Sequence, residues 1–345
     1  LFPKSAEFYR RLPKIELHRH LEGSLRLQTI LEIAKTHELD FPVDDVTAMS
    51  SLVQIQPGEP CTVANFLSKF AALRQMYKSP EIIRRITMEA VEDAAADNIR
   101  HLELRFTPVA LSKNAGFPMA DVIDWVCESA LEASQKYQVS TVLLASVNRH
   151  ESWQLAEQVA RLASDKMSQG IGGLDLAGDE SAHGGEDFIG VFREARQAGL
   201  KLTVHAGEWA GAENVLEAIE VFEADRIGHG VRIVENPKVV EIARERRVVF
   251  EVCPTSNVQS GAVSGLEDYP LALMMRAGLL ATINSDDPGI SDIELADEYK
   301  LALEALDIGF RELRESVITA AKSSFLPEEA RFTLAHSVSQ DYAVI

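Results

Sequence analysis

The sequence predicts an α/β fold: a (β/α)8 TIM barrel with a helical segment inserted after the first strand and additional helices at the C-terminus. Two observations predict it. Short apolar strand-like segments recur, each followed by amphipathic helical patterning, and eight such units can be counted. Alternating β and α implies a parallel sheet, and eight units imply a closed barrel. The second observation is chemical. Clusters of His, Asp and Glu stand at the C-terminal ends of these segments, which is where such a barrel carries its chemistry.

The first strand reads Ile15–His20 and closes on His18-Arg19-His20. The interval from Leu21 to Asn98 is too long for a simple βα unit. It holds three helical patterns, Leu27–Glu38, Val63–Tyr77 and Pro80–Ala96, and a Pro/Gly-containing loop, Gln54–Pro60. This predicts a helical insertion at roughly 21–98 within a single domain spanning 1–345. Its place after the first strand puts it over the barrel mouth, where a lid would exclude water. The later strands read Ile99–Pro108, Ser140–Arg149, Gly173–Glu180, Leu202–Glu208, Arg226–Gly230, Arg247–Asn257 and Leu279–Pro288. Amphipathic stretches between them include Met119–Gln138, Asp187–Ala198, Ala212–Phe222 and Lys238–Arg246. Asn236-Pro237 is a helix-start signal and Gly199 a helix-stop signal.

Composition narrows the function classes. The 345 residues are 46% hydrophobic and 25% charged, which is ordinary for a globular chain. A formal net charge of −19 repels phosphate backbones and anionic lipid, so neither nucleic acid nor membrane is an expected partner. Cys61, Cys127 and Cys253 are odd in number and lack C-x-x-C spacing, which fits a reducing compartment. No apolar run approaches the ~20 residues of a membrane span. Leu1–Arg11 lacks a signal-peptide core. A cytoplasmic location is expected; the oligomeric state is not readable.

Period-2 geometry sends His18 and His20 to one face of the first strand and Arg19 to the other. Alone, H-x-H is more often a pair of hydrogen-bonded or solvent-facing histidines than a metal site. His205 and Asp286 stand at the ends of two other strands. Three histidines with one aspartate suit zinc and leave room for a water. The other reading of Asp286 is a cap or loop carboxylate before Pro288. Glu208, three residues after His205, could act as an acid beside a metal or cap the following helix. His229, between Gly228 and Gly230, could hydrogen-bond a water, or be structural. One metal is favoured over two, because the segment Leu176-Ala177-Gly178-Asp179-Glu180 offers no lysine of the kind that often bridges metal pairs.

Six segments in order resemble the adenosine deaminase family: Glu16–Ser24, Leu176–Glu180, Val204–Glu208, Arg226–Gly230, Cys253–Asn257 and Asn284–Pro288. The resemblance runs from about Leu12 to the C-terminal helices and is strongest to the bacterial branch. It implies a zinc enzyme of purine salvage, one Zn2+ per chain, converting adenosine or deoxyadenosine to inosine and ammonia. By the same resemblance, His18, His20, His205 and Asp286 would hold zinc. Glu208, His229 and Asp286 would be catalytic, with Glu208 protonating a ring nitrogen. His20, Glu22, Gly178 and Asp287 would contact a small purine nucleoside. Glu22 departs from the Asp usual in the family. That departure opens a second reading, deamination of adenine or a 5′-modified adenosine. A binding protein without turnover would lack a ligand or the acid, and neither is missing.

Overall fold

The computed structural model describes residues 5–345, so the first four residues of the Leu1–Arg11 segment lie outside the described residues. Eight strands form one sheet in chain order: β1 (Lys14–His20), β2 (Ile99–Phe106), β3 (Ser140–Asn148), β4 (Ile171–Ala177), β5 (Lys201–Ala206), β6 (Arg226–His229), β7 (Val249–Val252) and β8 (Leu280–Ile283). Every neighbouring pair is parallel. Closure happens just beyond β8. The His20 N–H donates to the Asp286 carbonyl at 2.8 Å, and the Asp286 N–H donates to the His18 carbonyl at 3.0 Å. The two bonds that shut the barrel are therefore made by three of the candidate metal ligands.

β1 ends at His20 as the pattern predicts, and the other seven strands are shorter at their C-terminal ends than it predicts. The clearest correction is Arg247–Asn257: β7 stops at Val252 and a helix occupies Pro254–Gln259. Proline has no N–H to give a sheet and fits the first turn of a helix. The two punctuation signals act as read. The Asn236 side chain accepts from the Lys238 N–H, and Gly199 ends its helix at φ 107°.

Between β1 and β2 lie helices at Leu27–Thr36, Val46–Val53, Val63–Leu73 and Pro80–Ala96. Pro80–Ala96 packs on β2 and on the helix Met119–Tyr137, as the ring helix of the first βα unit. The pattern reading passed over Val46–Val53, capped by Asp45, and Trp153–Asp165, capped by Ser152. The C-terminal helices are Leu295–Ala305, Phe310–Ser323 and Glu328–Ala343, and Phe310–Ser323 packs on β8 and β1. No helix among the described residues is long and apolar enough to cross a membrane.

Apolar side chains pack the strands against the helix ring, while the barrel axis below the mouth is charged. Arg105, Arg226, Glu103, Glu251 and Asp175 are all buried there. Arg105 and Arg226 both pair with Glu251, and Arg226 also pairs with Glu103. Burying charges this deeply is tolerated only when each is paired.

Candidate active site

Four side-chain donors converge at the C-terminal mouth. His18 Nε2 and His205 Nε2 each lie 3.3 Å from His20 Nε2. Asp286 Oδ1 lies 3.2 Å from His18 Nε2 and 3.3 Å from His20 Nε2. Ligands of a tetrahedral zinc with bonds of ~2.0–2.1 Å stand about 3.3 Å apart, so these edges fit such an ion.

The surroundings fix which nitrogen faces inward. His18 Nδ1 is 2.9 Å from Glu251 Oε2, and His205 Nδ1 is 3.0 Å from Asp175 Oδ1. A carboxylate accepts only, so each Nδ1 carries the proton and each Nε2 presents a lone pair to the shared point. Converging lone pairs repel one another unless a cation lies between them. Burial alone would raise both carboxyls; His205 and Arg105 hold Asp175 low, and Arg105 and Arg226 hold Glu251 low. Asp286 Oδ2 accepts from Ser256 Oγ at 2.7 Å. Asp286 itself sits at φ +63°, a left-handed turn that aims its carboxylate back into the mouth. A second cluster, His229, Cys253 and Asp286, shares that aspartate, but burial keeps the Cys253 thiol protonated.

Glu208 lies beside this cluster, with Oε2 3.4 Å from His229 Nε2. Burial pushes its carboxyl well up, and the negative charges of Asp286, Glu180 and Asp287 add to the effect. The shift favours the acid form, which can give a proton. Burial keeps His229 uncharged, and its Nδ1 accepts from Asn257 Nδ2 at 3.0 Å. Tyr269 in turn donates to Asn257 Oδ1 at 2.9 Å. In that arrangement His229 Nε2 carries the hydrogen. The flanking glycines leave room for their neighbours. A Cβ at Gly228 would stand 3.0 Å from His18 Cε1, and one at Gly230 would stand 2.3 Å from the Phe250 ring.

One pocket is lined by His20, Glu22, Gly178, His205, Glu208, His229, Asp286 and Asp287. His18 lies beneath it, fully buried. Glu22 Oε1 accepts from the Thr107 N–H at 2.6 Å, and burial raises its carboxyl to about 6. Asp287 is raised too, by burial and by Asp286 next to it. Gly178 turns at φ +95° on the pocket wall. Phe66, Leu67, Phe70 and Arg74, from the helical segment after β1, form the roof with Trp209.

Sequence reasoning gave no role to Asp175, Glu251, Arg105, Asn257 or Glu180. A signal was present for Asp175 and Glu251, each a lone charge inside an otherwise apolar strand; Arg105 stands in a strand that also holds Arg100, His101 and Glu103. Nothing local marks which charge meets which.

Known proteins match this chain along most of its length. The sequence profile described as adenosine deaminase matches residues 13–341. An adenosine deaminase of Erwinia tasmaniensis is 38% identical over 323 residues, 93% of this chain and 96% of that protein. Among solved structures, an adenine deaminase from Arthrobacter aurescens superposes with a TM-score of 0.88 at 28% identity, covering 95% of this chain and 98% of that one. An amidohydrolase from Burkholderia ambifaria with bound Zn has the same fold, with a TM-score of 0.90 at 24% identity, covering 100% and 94%.

Proposed function

The chain belongs to the adenosine deaminase family, and from that premise we propose that it hydrolyses the 6-amino group of adenosine, releasing inosine and ammonia. The observation that carries this reading is the meeting of four metal donors, a buried glutamate whose carboxyl is pushed up and a buried histidine whose imidazole is pushed down, on one pocket.

His18, His20, His205 and Asp286 would hold one zinc, which supplies a Lewis acid able to bring the pKa of a water toward ~7. Glu208 protonates the ring nitrogen beside the attacked carbon, so negative charge does not build on the purine. His229 holds the attacking water by a hydrogen bond, and Asp286, its Oδ2 held by Ser256, assists. Asp287 and the Gly178 N–H grip the two sides of the purine, and the Glu22 oxygen not used by Thr107 meets the sugar. The roof of Phe66, Leu67 and Phe70 works as a lid and keeps bulk water from the reacting atoms, which strengthens each of these interactions.

A second reading, deamination of adenine or a 5′-modified adenosine, is favoured by Glu22 and by the likeness to an adenine deaminase. The deciding experiment follows loss of the adenine absorbance with adenosine and with adenine, on protein of measured zinc content. Turnover of adenosine alone supports the first reading. Turnover of adenine alone replaces it with the second.

A further inference from the structure

Glu180 makes an unusual set of contacts that the chemistry above does not use. It follows β4 and is 5% exposed. Its Oε1 accepts from the N–H groups of Glu208 at 2.6 Å, Trp209 at 2.9 Å and Ala210 at 3.1 Å. Its Oε2 accepts from the Gly207 N–H at 3.1 Å and from Asn214 Nδ2 at 3.0 Å. Five donors fill the roughly four lone-pair positions of a carboxylate. Four of them are consecutive backbone amides, and the second belongs to Glu208.

The local sequence builds this contact from both sides. Asp179 Oδ1 accepts from the Ser181 and Ala182 N–H groups, a turn that fixes the direction in which Glu180 leaves β4. On β5's exit, Gly207 turns at φ +69°, and a Cβ there would stand 2.4 Å from Val215 Cγ2. The segment 207–210 thus runs tightly round one carboxylate with its amides pointing inward. An anion clasped by successive N–H groups is held as firmly as an anion in a backbone nest, with the anion here supplied by the protein.

We propose that Glu180 is a positioning residue for Glu208: it clamps segment 207–210 from the neighbouring strand and so sets the direction of the acid toward the purine. The proposal rests on the assignment of Glu208 as the acid. A general acid must reach its proton acceptor at hydrogen-bond distance, and small displacements are costly. Glu180 touches neither substrate nor the metal donors, so its loss acts on kcat more than on substrate binding.

The test uses the zinc-loaded full chain and two variants, Glu180→Ala and Glu180→Gln. The first removes every acceptor. The second keeps one oxygen for the amides of Glu208, Trp209 and Ala210 but sets an NH2 against Gly207 and Asn214. Faster amide hydrogen exchange across 207–210 is expected in both, more in the alanine variant. For Glu180→Ala, kcat for adenosine should fall about 100-fold with KM within about three-fold and zinc still at about one per chain. Glu180→Gln should fall between, and it keeps the test alive if the alanine variant fails to fold. Unchanged exchange across 207–210, an unchanged kcat, or a kcat loss equal to the loss of bound zinc would each overturn the proposal. If the parent chain does not deaminate adenosine at all, the functional reading fails on its own, and the exchange measurement still decides the clamp.

Discussion

A Cβ on Gly23 would stand 1.8 Å from Asp287 Oδ1 and 2.5 Å from its Cγ. Glycine here supplies space, not backbone freedom, since Gly23 is not among the residues at positive φ. The same region is tight on its other side, where the Gly289 N–H donates to the Gly23 carbonyl at 2.7 Å. Gly23→Ala must therefore push the Asp287 carboxyl off the pocket wall. KM for adenosine should rise about ten-fold, the size of one charged hydrogen bond, with zinc retained. Steady-state kinetics with metal analysis checks it; an unchanged KM would mean that Asp287 does not touch the purine.

Glu208→Gln keeps the shape of the side chain and removes its proton. Turnover should drop by about 10²–10⁴-fold, the usual worth of a general acid, with zinc content unchanged. The pH profile carries the sign. Burial raises the folded value of this carboxyl, so its acid form persists past the ordinary carboxylate range. The rate should decline as pH climbs through that raised value. Residual activity of the glutamine variant should lack this limb, and a variant that keeps it would assign the limb to another group.

His205→Ala removes one of four donors and should abolish stoichiometric zinc. Asp175→Asn leaves all four donors but weakens the bond that orients His205 Nδ1. Metal affinity should then fall by about 10–100-fold. Competition with a chelator of known affinity measures both. Equal affinity in the Asp175 variant and the parent would separate that carboxylate from metal binding.

Glu298 gives a prediction about stability. Its Oε1 accepts from the Thr255 N–H at 2.9 Å, its Oε2 has no partner, and burial raises its carboxyl to about 8. Folding therefore favours the protonated form. The contribution is fully present below the unfolded value near 4.5 and is lost as pH rises through about 8. A tenfold difference in proton affinity between folded and unfolded chains corresponds to ~1.4 kcal/mol, so the parent should lose several degrees of melting temperature across that window. Glu298→Gln keeps the Thr255 contact without the titration and should flatten the curve. A parallel decline in parent and variant would assign the effect elsewhere.

The barrel was legible because two signals agreed: eight apolar segments with helical patterning between them, and His, Asp and Glu at their ends. Boundaries were less legible. The predicted strand Arg247–Asn257 ends early because Pro254 starts a helix, and the helix Trp153–Asp165 went unread although Ser152 caps it. The charged axis was not legible either. Glu251 and Asp175 look like isolated charges in apolar strands and Arg105 like one polar residue among several, since each finds its partner on a strand many residues away.

The sequence by itself determined the fold class, the donor types and the strand ends that carry them, because strand alternation and strand order are local or sequential properties. Only the tertiary structure decided which lone pairs converge. His18, His20 and Asp286 are joined by the backbone bonds that close the barrel, and no local pattern contains a closure made across the whole chain. The tautomers of His18 and His205, the room that Gly23 leaves for Asp287, and the grip of Glu180 on the Glu208 segment are likewise contacts between segments far apart in sequence. Side-chain packing and hydrogen-bond geometry set them, and those exist only once the barrel is shut.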